Sequence, residues 1–404
     1  MDPAAVRERR RALILLAAAE LLAMSPWFSA SAAVPALRAE WHLSDSGAAW
    51  LTLAVQFGFV AGTLASALAN LPDIIRVRTV LAASAIGAAI SNASIGWFAN
   101  GIEAAVGLRF LTGFFLAGVY PPGMKLMATW YRSGRGMAIG VLVGALTLGK
   151  ASPYLINAVG SADWRRNEMV ISLAALLGGL VVPLLVSEGP YAEPLARFDI
   201  RQAGAVFSDR GLRLANLGYF GHMWELYAMW AWAPAMIRAG VAESGGSPLL
   251  SELASFLVIG AGAAGCIGAG LLADRIGRTL VTSGAMIISG SCCLVIGLFF
   301  DSNPVLLIVL AVVWGVSVVA DSAQFSACVT ELGDRRYIGT ALTLQTCIGF
   351  LLTTVSLRLI PVLQAAAGWR YAFMSLAPGP ALGVIAMLRL RSLPESARIA
   401  QGKR

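Results

Sequence analysis

The sequence predicts an all-α polytopic membrane protein of twelve transmembrane helices, arranged as two pseudo-symmetric six-helix bundles. Three observations carry this reading. The 404 residues are 58% hydrophobic and 13% charged, with a mean hydropathy of +0.74, whereas soluble domains carry about a quarter charged residues. Apolar runs long enough to cross a bilayer, which takes ~20 residues of helix, recur almost end to end. A segment of the first half also repeats in the second at a fixed offset. The ~10-residue alternating segments of a membrane β-barrel are not seen.

Taken in order, the apolar runs between charge and turn clusters place spans at 12–37, 48–71, 79–98, 104–128, 137–158 and 169–186. After a polar connector follow 214–237, 249–272, 279–300, 304–329, 338–361 and 371–388. The break between the ninth and tenth rests on the turn-forming run Asp301–Pro304. The connector, Ser187 to Arg213, divides the chain into bundles at 1–186 and 214–404, and its segment 198–209 is expected to form a short surface helix. The first span has arginines before it and small residues near its end, as a secretory signal does. Glu20, Pro26 and Trp27 within it, and its length, favour a retained span.

Basic residues orient the spans. With both termini cytoplasmic, 21 of the 30 basic residues fall in inside segments, among them Arg132, Arg197, Arg335 and Arg336. Five (Arg38, Arg165, Arg166, Arg238, Arg370) fall in outside loops, and four lie within spans. The net charge of +8 is therefore topological, and no nucleic-acid partner is expected. A bacterial inner (plasma) membrane is the expected location, with a monomer in the lipid bilayer. The five cysteines lie in apolar runs without metal-ligand spacing, so core packing is expected of them, and neither a metal nor a cofactor.

The repeat is specific. Glu20–Trp27 (ELLAMSPW) matches Glu225–Trp232 (ELYAMWAW) at five of eight positions, at an offset of 205, and the same offset carries Asp163–Arg165 onto Gly368–Arg370. Span one thus corresponds to span seven, in a parallel duplication.

The stretch Gly270–Arg278, GLLADRIGR, resembles the loop motif Gly-x-x-x-Asp-Arg-x-Gly-Arg of the major facilitator superfamily, through Gly270, Asp274, Arg275, Gly277 and Arg278. The equivalent loop after span two keeps Asp73 and Arg78 but lacks both glycines and the first arginine. Arg109–Gly123 in span four has the family's Arg-x-x-x-Gly start, and span five has a glycine-rich run that ends in Ser152-Pro153 rather than Gly-Pro. The resemblance covers essentially the whole chain. It implies a secondary transporter working by alternating access, with spans one, four, seven and ten lining a cavity between the halves. Fold alone does not name the solute.

Ionisable residues inside the membrane cost roughly 2.5–3.5 kcal/mol each on insertion scales, so they mark pathways, pairs or cavities. Glu20 and Glu225, at equivalent places of the repeat, are the leading proton-coupling candidates, with His222 one turn before Glu225 and Asp321 in the polar run of span ten. A structural hydrogen bond is the plainer reading of each. Lys150, Arg358 and Arg109 are candidate solute ligands, with Gln56, Gln324 and Gln345, and with the aromatics Trp27, Tyr227 and Trp232. Lys150 is expected either to pair with a glutamate or to meet an anionic solute. Trp230 is expected in an interfacial belt.

Three function classes make different demands on the sequence. A membrane enzyme would need a nucleophile with its base, or a metal cluster, and the two histidines supply neither. A non-transporting sensor would be expected to carry a soluble signalling domain. A transporter agrees with every level of the reading. No nucleotide-binding Gly-x4-Gly-Lys-Ser/Thr loop is present, so protons are the expected coupling partner. Lys150 and Arg358 tilt the solute towards a small anion. Glu20, Glu225 and Asp321 with the aromatics suggest instead efflux of an organic cation or amphiphile.

Overall fold

In the computed structural model the described residues are 3–131, 134–160, 163–191, 198–334 and 338–404, and the side chains of Asp73 and Arg135 lie outside them. Arg132, Arg197, Arg335 and Arg336, used above for orientation, also lie outside the described residues. The chain divides into two compact units, Met1–Leu195 and Ala196–Arg404. The division falls inside the polar connector.

The first unit contains α1 (Pro3–Ala23), α2 (Ser29–Trp41), α3 (Asp45–Leu68), the short α4 (Leu71–Ile74), α5 (Val77–Phe98), α6 (Ile102–Leu116), α7 (Tyr120–Ala128), α8 (Arg135–Val159) and α9 (Trp164–Leu185). The second contains α10 (Ala203–Ser208), α11 (Arg210–Glu243), α12 (Pro248–Gly260), α13 (Gly262–Ile276), α14 (Arg278–Val295), α15 (Pro304–Ala320), α16 (Ser322–Leu332), α17 (Ile338–Ala367), α18 (Trp369–Ala372) and α19 (Pro378–Ser392). A C-terminal 3₁₀ segment, Pro394–Gly402, follows. No strand occurs among the described residues. Eleven helical stretches are long and apolar enough to cross a membrane. The twelfth crossing is α11, whose 34 residues include the expected span 214–237 and several polar side chains. Each unit is thus a six-helix bundle.

Helix starts follow local chemistry. Ser44, Asp209 and Ser247 accept backbone N–H bonds at the starts of α3, α11 and α12, which satisfies donors that a helix end leaves orphaned. Asn303 does the same for α15, with Pro304 at the first helical position, where its missing N–H costs nothing.

Five expected spans are interrupted, among them span twelve, where a 3₁₀ turn, Phe373–Leu376, separates α18 from α19. Span one breaks into α1 and α2 across a 3₁₀ turn, Ser25–Phe28, where Pro26 lacks the N–H that an α-helix needs. Span four breaks between α6 and α7, just before Pro121 and Pro122. Span eight breaks at Ala261, and span ten at Asp321, which ends α15 and begins α16. The expected connector helix is a 3₁₀ turn, Ile200–Gln202, followed by α10.

The duplication is visible in packing. A Cβ on Gly113 of α6 would lie 2.1 Å from the Val55 carbonyl oxygen of α3. A Cβ on Gly315 of α15 would lie 1.8 Å from that of Val258 in α12. In both units a backbone carbonyl therefore occupies the space that any other residue would fill, and small residues at such seams let membrane helices close up.

Candidate functional site

Glu225 lies near the middle of α11 and is 1% exposed. Its carboxylate is met by three neutral donors from two other helices. Trp314 Nε1 of α15 donates to Oε1 at 2.5 Å, Cys293 Sγ of α14 to the same oxygen at 3.1 Å, and Ser289 Oγ of α14 to Oε2 at 2.9 Å. None of these partners carries a charge. The arrangement holds a carboxylate in either state: the donors stabilise the anion, and burial among apolar helices penalises its charge.

One turn earlier, His222 Nδ1 lies 2.9 Å from Asp321 Oδ1, both side chains 1% exposed. The pair ties α11 to the interruption of span ten. Three of the four proton-coupling candidates therefore gather around one stretch of α11.

The fourth, Glu20, is buried in the first unit. One carboxylate oxygen faces α7, where a Cβ on Gly123 would sit 2.7 Å from it. The other has no hydrogen-bond partner among the described residues. Lys150 of α8 interacts electrostatically with Glu20, and its Nζ stands 4.0 Å from the centre of the Trp27 ring. The ring face beside Nζ is a cation–π contact for the buried ammonium. Trp27 in turn packs edge-on against Phe59 at 5.1 Å.

Arg109, expected as a solute ligand, spends its donors on backbone. Its Nε donates to the Leu51 carbonyl at 3.2 Å, Nη1 to that of Pro26 at 2.7 Å, and Nη2 to that of Trp27. Pro26 and Trp27 belong to the 3₁₀ turn of span one; the Pro26 carbonyl also accepts from the N–H and Oγ of Ser29, and Arg109 adds a donor to both carbonyls. Nη1 also reaches Ser29 Oγ, which donates to Asn92 Oδ1 at 2.9 Å. The Asn92 amide then donates to Glu168 Oε2 at 2.7 Å. Glu168, 1% exposed, is the counter-charge of this network.

The loop motif is built around Arg278. Its Nε and Nη2 donate to Glu331 at 2.9 and 2.7 Å in a bidentate pair, and Nη1 donates to Gln324 Oε1 at 2.6 Å. Gln324, expected to meet solute, is thus engaged by the motif. Gly277 has φ +98°, a conformation that suits glycine, and Gly270 is buried in α13. Arg275 is exposed, and the Asp274 carbonyl accepts from Lys403 Nζ at 2.6 Å. In the first unit Arg78 Nη1 donates to the Val186 carbonyl at 2.8 Å, while the side chain of Asp73 lies outside the described residues.

The remaining candidates separate. Gln56 and Gln345 are buried, with both amide atoms lacking partners among the described residues. Tyr227 is buried against Phe350 and Trp230, and Trp232 Nε1 donates to the Leu357 carbonyl at 3.0 Å. Arg358 is exposed on the stripe of α17 that also exposes Leu351, Val355 and Val362. Trp230 corrects an expectation: at 1% exposed it is a core residue of its unit, where a belt tryptophan would face lipid headgroups.

Sequence reasoning missed Glu168, Glu331, Trp314, Ser289 and Cys293. Glu168 falls one residue before the expected start of span six, although α9 begins at Trp164. A tryptophan and a cysteine in apolar runs read as packing, and only the fold brings them to a carboxylate.

The family model described as Major Facilitator Superfamily matches residues 16–357. No curated protein matches. Among solved structures, the proton:xylose symporter XylE bound to 6-bromo-6-deoxy-D-glucose is similar, with a TM-score of 0.73 and 14% sequence identity. That likeness covers 96% of each chain, and at such identity it speaks for the fold.

Proposed function

Since the chain belongs to the major facilitator superfamily and is a multi-pass membrane protein of the secondary-transporter fold, we propose that it moves a small solute by alternating access, coupled to protons. Glu225 is the principal proton-exchange residue, with His222 and Asp321 as its neighbours on the proton path and Glu20 as its counterpart in the first unit. The observation that carries this reading is the Glu225 environment of three neutral donors and near-complete burial. A carboxylate held this way is accommodated with or without its proton, as a site that must load and unload requires. The protein of the similar structure is described as a proton symporter, which agrees with the proposal.

For the solute we favour a small anion, on the strength of Lys150, a buried cation beside Trp27. The expected support from Arg358 and Arg109 is weaker: the first sits on an exposed apolar stripe and the second is committed to backbone carbonyls. The second reading, efflux of an organic cation, draws on the buried acids and on the Tyr227, Trp230 and Phe350 cluster. We further propose a bacterial inner membrane with cytoplasmic termini and a monomeric transporter, from the distribution of basic residues and the completeness of each bundle.

The test is reconstitution in proteoliposomes. Glu225→Gln keeps the size and hydrogen-bonding reach of the side chain but cannot ionise. It is expected to abolish movement driven by a pH gradient while counterflow exchange continues. Unchanged gradient-driven transport by the variant would eliminate the proton role of Glu225.

A further inference from the structure

Of the buried polar atoms of the second unit that lack hydrogen-bond partners among the described residues, five belong to three side chains near one contact of α11 with α17. They are Nδ2 and Oδ1 of Asn216, Nε2 and Oε1 of Gln345, and Nε2 of His222. As whole residues Asn216, Gln345 and His222 are 1%, 1% and 2% exposed. Native interiors leave few such atoms, because each one forfeits its hydration without compensation. Three together are a feature to be explained.

Their placement follows from the register of α11 against α17. Gly349 admits the ring of Tyr219, whose Cε1 would be 2.4 Å from a Cβ at that position, with Met223 Cγ at 3.1 Å. Further along, the rings of Tyr227 and Phe350 are 5.0 Å apart, and Trp232 bonds the Leu357 carbonyl. Numbers rise together, so the two helices run in the same direction. Gln345, one turn before Gly349, is therefore level with the turn Asn216–Tyr219. His222 is one turn beyond Tyr219 on α11, its ring 6.0 Å from the Tyr219 ring and 5.5 Å from that of Phe325. All three side chains lie within one helical turn of the contact between Tyr219 and Gly349.

We propose that Asn216, Gln345 and Nε2 of His222 form a solute subsite of the second unit that takes a hydroxyl-bearing portion of the transported molecule. The proposal rests on the transporter reading. It follows from donor and acceptor chemistry. Each amide offers two N–H donors and a carbonyl acceptor. Nδ1 of His222 lies 2.9 Å from Asp321 Oδ1, and Nε2 supplies one further donor or acceptor position. A carboxylate brings acceptors only and would leave two amide oxygens unmet. An ammonium brings donors only and would leave both NH₂ groups unmet. A hydroxyl donates once and accepts twice, so adjacent hydroxyls match all three side chains. The faces of Tyr219 and Phe325 suit the C–H surface between hydroxyls.

Binding to the purified full-length protein tests this without any gradient, so its outcome is independent of whether transport is proton-coupled. Melting temperature is measured with xylitol, glucose, myo-inositol and gluconate, each at millimolar concentration, beside hexanoate and 1-hexanol as hydroxyl-poor controls. At least one hydroxylated probe is expected to raise the melting temperature by a few degrees, and the controls are not. Asn216→Leu and Gln345→Leu are expected to abolish that shift while leaving the ligand-free melting temperature equal to or above the parent's, because each removes an unpaired buried amide. Gly349→Ala, which displaces Tyr219, is expected to weaken the shift as well. No shift with any hydroxylated probe, or an equal shift with the controls, overturns the proposal. So does a fall in ligand-free melting temperature in both leucine variants with the probe shift intact, the result expected if the two amides serve only to hold α11 and α17 together.

Discussion

His222 Nδ1 lies 2.9 Å from Asp321 Oδ1, and that contact joins the middle of an unbroken 34-residue helix to the point at which span ten is interrupted. The interruption has no proline. Asp321 closes α15 and opens α16, so a change at the pair acts on the direction of both half-helices. One turn away, Glu225 bonds Trp314 on the α15 side of the same break. The three proton candidates of the second unit and the joint of span ten are thus one construction.

Trp314→Phe isolates the charged form of Glu225. The indole N–H bond to a carboxylate is charge-assisted, worth about 1.5–3 kcal/mol in typical cases, and it loses much of that when the carboxyl is protonated. The variant should therefore be less stable than the parent at high pH and approach it as pH falls. Scanning fluorimetry across pH 5 to 9, roughly, reads the difference; a gap independent of pH would mean that Trp314 contributes packing alone.

Arg109→Met leaves Glu168 buried without its counter-charge and removes a donor from the carbonyls of Pro26 and Trp27. Breaking such a pair from one side costs roughly 3–5 kcal/mol. Adding Glu168→Gln should recover part of the loss, because the two charges belong to one network. Strictly additive melting-temperature changes in the double variant would show the two residues to be uncoupled.

Gly113→Ala and Gly315→Ala test the structural repeat. Each introduces a methyl into space held by a carbonyl oxygen of the facing helix, and overpacking typically costs about 1–3 kcal/mol. Gly107→Ala and Gly284→Ala, with nothing within 4 Å of the new carbon, are the controls and should be neutral or slightly stabilising, helices favouring alanine by roughly 0.5–1 kcal/mol. Similar penalties at the two seam positions, and none at the controls, are expected in thermal unfolding.

Glu331 accepts from Arg278 and from the backbone N–H of Ala400, so it fastens the C-terminal segment to the motif loop. Glu331→Ala should expose that segment to limited proteolysis near Arg398, with Arg278→Lys intermediate because an ammonium cannot reproduce the bidentate pair. Cleavage rates equal to the parent's would rule out this anchoring role.

How much of the site was legible depended on depth and on spacing. Glu20, Glu225 and His222 stood out because charge and imidazole are rare within apolar runs. Asp321 stood out from its polar neighbours. Asn216 attracted no notice, since one amide near the start of a span is ordinary. Arg109 was visible but its work was not: the acceptors it serves exist only because span one breaks, and a backbone carbonyl leaves no mark in a sequence. Gln324 was drawn away by Arg278, 46 positions distant along the chain.

The sequence by itself determined that this chain spans a membrane twelve times in two related halves, because burying apolar length and excluding charge from lipid are constraints that each segment meets alone. The duplication was equally legible, since it is a relation between stretches of text. Only the tertiary structure decided which polar groups are partners. Inside a bilayer every buried donor and acceptor must find its match in another helix, and the register that brings Trp314 to Glu225, or Arg109 to the turn at Pro26, is set by how helices pack. Packing is a property of pairs of helices, and no single segment carries it.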